Sequence, residues 1–188
     1  MYFTAAWGVS ILGLPEGFSL PIYPAAGVAL GGLISCGVRL WPGIFLGGLA
    51  FNAWFMNYVA PASESSVFKM VLTSSGMASA AVVQALVGAF LFNRFVSSPN
   101  PFNRTKDILV FIFLVAAVGC TLSSSICVTI LGWAGHLPWE KFVQEGVTWW
   151  LGDVMGVLLL TPFFLVFRQP LNFQWTPARR IEVGILLF

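Results

Sequence analysis

The sequence predicts an all-α protein, a polytopic transmembrane helical bundle of about six segments plus a partial seventh, with a cytoplasmic N-terminus. Three observations carry that expectation. Hydrophobic residues make up 58% of the 188 and charged residues only 9%, where a soluble domain carries about 25% charged residues. Five long apolar runs approach or exceed the ~20 residues that a spanning helix needs. Seven of the nine basic residues gather in alternate loops. The lipid bilayer is therefore the expected surrounding, and no nucleic acid is expected as a partner.

The opening stretch, residues 2–14, is apolar but short and reads as the tail of a helix. The second segment is expected over residues 22–38. Pro21 and Pro24 stand at its start, where a missing N–H is tolerated. Gly37-Val38-Arg39-Leu40-Trp41-Pro42-Gly43 makes a tight turn. In it, Pro42 suits the first turn of the third segment, residues 42–60, and Trp41 suits the interfacial aromatic belt. The fourth segment covers residues 67–92. The stretch 97–104, with Pro99 and Pro101, is too polar and proline-rich for a helix. It leads to Thr105, placed to cap the fifth segment, residues 107–132. Residues 132–141 form a loop with Trp133 and Trp139 at interface depth. The sixth segment covers residues 145–167, and residues 181–188 begin a seventh. There is no internal repeat. The chain reads as one integral membrane domain over 1–188, cut at one or both ends and without an output domain. No cleaved signal peptide is expected, because no basic region precedes Tyr2.

Charge sets the orientation. Arg39 follows the second segment, Arg94, Arg104 and Lys106 lie between the fourth and fifth, and Arg168, Arg179 and Arg180 follow the sixth. These loops fall on one side, while Glu16, Glu64, Glu140 and Glu145 fall on the other. The positive-inside rule puts the arginine side in the cytoplasm and makes Arg39 and Trp41 anchors at the inner face.

Small residues at helix-packing spacing point to close contacts: Gly27 with Gly31, Gly43 with Gly47, and Gly152 with Gly156. Gly76, Ala80, Gln84 and Gly88 share a face of the fourth segment. The intramembrane polar set is Asn52, Asn57, Gln84 and Asp153, with the hydroxyl row Ser123-Ser124-Ser125. Asp153 is the anomaly, because a carboxylate at that depth costs a few kcal/mol unless protonated, paired or wetted. Trp149 lies four residues before it on the same face. Two readings stand side by side: a carboxyl tied down to fix packing register, or a group that responds to a ligand, proton or cation. Asn52 and Gln84 suit interhelical hydrogen bonds.

Catalytic signatures of soluble enzymes are absent from the sequence, and the chain is not expected to be an enzyme. No cofactor and no metal is expected. His136 stands alone between Trp133 and Trp139, and Cys36, Cys120 and Cys127 form no CxxC. Cys120 and Cys127 share a helix face but read as small core residues.

Two stretches carry a family resemblance. Leu20-Pro21-Ile22-Tyr23-Pro24-Ala25-Ala26-Gly27-Val28-Ala29-Leu30 continues through Gly37-Val38-Arg39-Leu40-Trp41-Pro42-Gly43-Ile44-Phe45-Leu46-Gly47 to Asn52. It resembles the opening of the first type of membrane-associated sensor domain of bacterial signalling proteins (the MASE family), with Tyr23 where that family usually has Trp. Trp149-Trp150-Leu151-Gly152-Asp153-Val154-Met155-Gly156, closing at Pro162, is similar to the family's Trp-Leu-Gly-Asp-x-x-Gly core. Gln84-Ala85-Leu86-Val87-Gly88 adds weaker support.

The resemblance implies a sensory domain in the bacterial inner membrane, within two-component or cyclic-di-GMP signalling. It would perceive an unknown small ligand or stimulus and pass it to a cytoplasmic output module, fused or in trans. That module would be a diguanylate cyclase, a phosphodiesterase or a histidine kinase. Asp153, Trp149, Trp150, Asn52 and Gln84 would line or brace the responsive site, and a homodimer is a further expected partner. The alternative is a small-solute membrane transporter or its substrate-binding subunit, which broken helices would favour. A third reading is a structural anchor or dimerisation module.

Overall fold

The structure is a computed structural model that describes residues 1–12, 22–59, 67–96 and 104–168. Six helices stand among them: α1 (Tyr2–Leu12), α2 (Pro24–Cys36), α3 (Trp41–Val59), α4 (Val67–Phe95), α5 (Thr105–Trp133) and α6 (Phe142–Arg168). They fall on the six apolar runs of the sequence. Val67–Phe95, Thr105–Trp133 and Trp139–Phe167 are each long and apolar enough to cross a membrane. Phe90, Phe113 and Phe163 are more than half exposed, as side chains that face lipid must be. The expected seventh segment and Pro21 lie outside the described residues.

Local chemistry explains the helix ends. Pro24 opens α2 at its first position, where it loses no hydrogen bond. Gly37 ends α2 at φ 94° and returns its N–H to the Leu33 carbonyl at 3.0 Å. A side chain is disfavoured at that φ. The turn Val38–Leu40 then holds Arg39 and Trp41 exposed at one end of the bundle. Thr105 does not cap α5. Arg104 is the extended capping residue instead, and its carbonyl accepts the N–H groups of Asp107 (3.0 Å) and Ile108 (3.1 Å). Within α5, Val110–Val118 is π-helical between α-helical ends. A long run of beta-branched and aromatic side chains fills that stretch, and such wider turns occur often at functional sites.

Register between helices fixes the directions. The Tyr23 N–H bonds the Gly152 carbonyl at 3.0 Å, Thr161 Oγ1 donates to the Gly27 carbonyl at 3.2 Å, and Gly31 abuts Phe164. Numbers rise together, so α2 and α6 are parallel. Gly76 meets Ile130, Gln84 meets Cys120 and Phe92 meets Phe111, so α4 and α5 are antiparallel. Gly146 meets Val128 and Trp150 reaches Ala117, so α5 and α6 are antiparallel too. The C-terminal ends of α2, α4 and α6 therefore share one end of the bundle, with Arg39 and Arg94. We call this the arginine end. The starts of α4 and α6, with Lys69, Glu140 and Lys141 and the exposed Trp133 and Trp139, form the distal end.

The glycine pairs act unequally. A Cβ at Gly27 would overlap the carbonyl oxygen of Gly156 and stand 2.7 Å from Leu160 Cβ, and one at Gly31 would stand 2.8 Å from Phe164 Cβ. A Cβ at Gly156 would overlap the carbonyl oxygen of Tyr23. So α2 and α6 touch backbone to backbone, which small residues permit. Gly47 packs against the first turn of α1, with Tyr2 Cβ 3.1 Å from where its Cβ would stand. Gly43 is a correction to the sequence reading: it is exposed and meets nothing within 4 Å, so it makes no helix contact. Its place in the packing of α3 is taken by Gly48, next to Ala78 and Tyr2.

Candidate functional site

The convergence of α1, α2, α5 and α6 holds the most unusual group in the protein. Asp153 is 1% exposed, on α6 between Gly152 and Gly156. The bond from Tyr23 to Gly152 places the start of α2 beside it. That start lies ten residues into α6, about 15 Å from its first residue. With 13 residues, α2 thus begins partway along α6 and not level with its first turn.

Across from α6, the face of α5 presents Cys120, Ser123 and Cys127, all buried. Ser123 Oγ lies 4.0 Å from Cys127 Sγ. The Ser123 hydroxyl faces the Asp153 carboxyl, but neither carboxyl oxygen has a hydrogen-bond partner among the described residues. Tyr2, Tyr23, Cys120 and Cys127 all lie within electrostatic reach of it. The Tyr2 and Tyr23 hydroxyls are 3.2 Å apart, with their rings edge to face at 6.3 Å. They bond each other instead of the acid. The carboxyl thus lies near thiols and hydroxyls, of which Ser123 faces it most directly. A buried polar group left unbonded costs about 1–3 kcal/mol.

The other residues singled out in the sequence fall around this core. Gln84, 6% exposed on α4, donates from Nε2 to Cys120 Sγ at 3.1 Å and so stands one layer behind the acid. Trp150 is half-buried and turns to α5, where its indole N–H donates to the Ala117 carbonyl at 2.8 Å. Thr121 Oγ1 donates to the same carbonyl at 3.0 Å, just where the π-helical stretch gives way to α-helix. Trp149 packs against a separate cluster of Met56, Met77, Cys127, Val128 and Leu131, bracing the α5 face that carries Cys127. Asn52 is buried on α3, in the turn after Gly48 and next to the Phe51 ring that packs on Tyr23. Asn57 is exposed.

Sequence reasoning missed Tyr2 and Tyr23 as neighbours of the acid, and read Cys120 and Cys127 only as filler. The stripe Cys120, Ser123, Cys127 at spacings of three and four was a legible signal of one helix face. No such pattern exists for the tyrosines, whose approach depends on tertiary packing alone. Among the described residues, no three His, Cys, Asp or Glu side chains gather as a metal-binding group.

Comparison with known proteins adds one finding. The MASE1 family model matches residues 2–186, essentially the whole chain. No curated protein and no solved structure matches it.

Proposed function

Because the chain belongs to the MASE1 family of membrane sensory domains, we propose that it is the signal-input part of a bacterial inner-membrane receptor. In this reading the arginine end and the N-terminus face the cytoplasm, following the positive-inside rule. The protein hands its signal to a cytoplasmic output module of the cyclase, phosphodiesterase or histidine kinase type, fused or in trans.

The observation that carries the reading is Asp153: fully buried, and unsatisfied among the described residues. A group kept for packing would be bonded. A group kept for response must have free bonding capacity in one state. Protonation or liganding of Asp153 by a small molecule or cation supplies what its present neighbours do not, and so favours a different packing of α2 on α6. Trp150, Trp149, Gln84 and Asn52 brace the helices around it. A ligand shifts such an equilibrium only by its differential affinity for the two packings.

The test is Asp153→Asn in the full-length protein, read by output activity and by unfolding in detergent. Altered signalling with retained fold supports the proposal, and unchanged signalling with unchanged stability sinks it. Transport remains a second reading on one observation, the start of α2 partway along α6 beside an acid, which resembles the broken helices of transporters. Solute uptake by vesicles holding the purified protein would favour it.

A further inference from the structure

A second feature lies at the distal end, away from Asp153. There α4 and α5 part to leave a groove of about 600 Å³, lined by Lys69, Leu72 and Thr73 on α4 and by Ile130 and Trp133 on α5, with Ala134 just beyond. Its floor is set by Gly76, where a Cβ would stand 2.7 Å from Ile130 Cδ1. Below that point the helices stay in contact through Gln84 with Cys120 and Gly88 with Gly119. Lys69 stands two turns, about 10 Å, above this floor. Apart from Thr73 and Thr129 the lining is apolar, and among the described residues Lys69 is its one charge. Trp133, 84% exposed, stands on the opposite wall about one turn above Ile130.

We propose that this groove holds an anionic phospholipid of the bilayer, its phosphate at Lys69 and one acyl chain lying over Leu72, Ile130 and Gly76. Three features argue for that occupant. The groove opens to the side of the bundle that faces lipid, where Phe68 and Leu72 are both largely exposed. A lysine ammonium at headgroup height pairs with phosphate, while its alkyl stem lies on the apolar wall. A tryptophan within about a turn of that lysine is a usual companion of a lipid headgroup. An apolar helix would fill the walls but supply no counter-charge for the lysine.

The full chain in lipid nanodiscs, examined by native mass spectrometry, tests this. Phosphatidylglycerol and phosphatidylcholine with identical acyl chains are offered in equal amounts. Phosphatidylglycerol should be retained about fivefold more, the value of one lysine against an anionic headgroup. Lys69→Gln, at an exposed site that does not bear on folding, should bring the ratio near one. Gly76→Leu should reduce retention of both lipids by filling the groove. Equal retention by the wild type, or a preference that survives Lys69→Gln, overturns the proposal. Displacement of phosphatidylglycerol by equimolar free fatty acid overturns it too, because the occupant is then a single-chain acid.

Discussion

Asp153→Leu exchanges two carboxyl oxygens for two methyl groups on the same heavy-atom branching, changing the chemistry of the site at a modest gain in volume. At 1% exposure the carboxyl has lost its contact with solvent, and neither oxygen recovers a bond among the described residues. Leaving such a group unsatisfied costs about 1–3 kcal/mol, and an apolar group of the same shape removes that cost. The unfolded chain in a micelle also finds partners for polar groups, which trims the gain. Asp153→Leu should therefore stabilise the protein by about 1–2 kcal/mol. The assay is unfolding by increasing SDS in mixed micelles, followed by far-ultraviolet circular dichroism. In the full-length protein the same variant should lose its response to stimulus. A group retained for function at the expense of stability gives this pair of results. A loss of about 1 kcal/mol or more would refute the reasoning, since it would mean that the carboxyl is bonded and holds the helices in register.

Gly156→Ala should destabilise the bundle by about 2–4 kcal/mol in the same SDS titration. The added Cβ would stand 2.6 Å from the carbonyl carbon of Tyr23, where ordinary contact begins at 3.4 Å. Relieving that contact takes about 0.8 Å and the overlap with the Tyr23 oxygen takes more, which also strains the 3.0 Å bond from Tyr23 to Gly152. Gly43→Ala, by contrast, meets open space and should leave the midpoint of unfolding unchanged within about 0.5 kcal/mol. Trp150→Phe removes the bond to the Ala117 carbonyl and should cost about 0.5–1 kcal/mol, because Thr121 still donates there. A double-mutant cycle with Thr121→Val measures how far the two donors are coupled.

The positions of the helices were legible because lipid imposes one requirement on every spanning residue, apolarity, and it leaves a continuous record in the chain. The shared end of the arginines was legible from the alternation of the apolar runs. Arg39 and Arg94 sit after helices that the contacts of α2, α4, α5 and α6 show to run the same way. Glycine spacing was a weaker guide, because it shows which residues share a face but not whether anything lies against that face. Gly27 and Gly156 meet each other, while Gly43 meets nothing. Asp153 was visible as an anomaly, yet its lack of partners was not, since that depends on where Tyr2, Tyr23 and Ser123 come to rest.

The proximity of these two features matters more than either alone. Gly156 lies three positions after Asp153, so less than one helical turn divides an acid unbonded among the described residues from a contact with no slack. At the seam, backbone meets backbone, and no side chain can rotate to absorb a change of a few tenths of an ångström. Packed interfaces of this kind pass between discrete arrangements instead of deforming gradually. On the proposed reading, a new bond at Asp153 acts on the start of α2 directly. It also acts on α5, because Trp150 on the preceding turn of α6 is bonded to the junction of π- and α-helix at Ala117. One chemical event at the acid is in position to move α2 and α5 against α6, and α6 runs on to the arginine end, where an output module would receive the displacement.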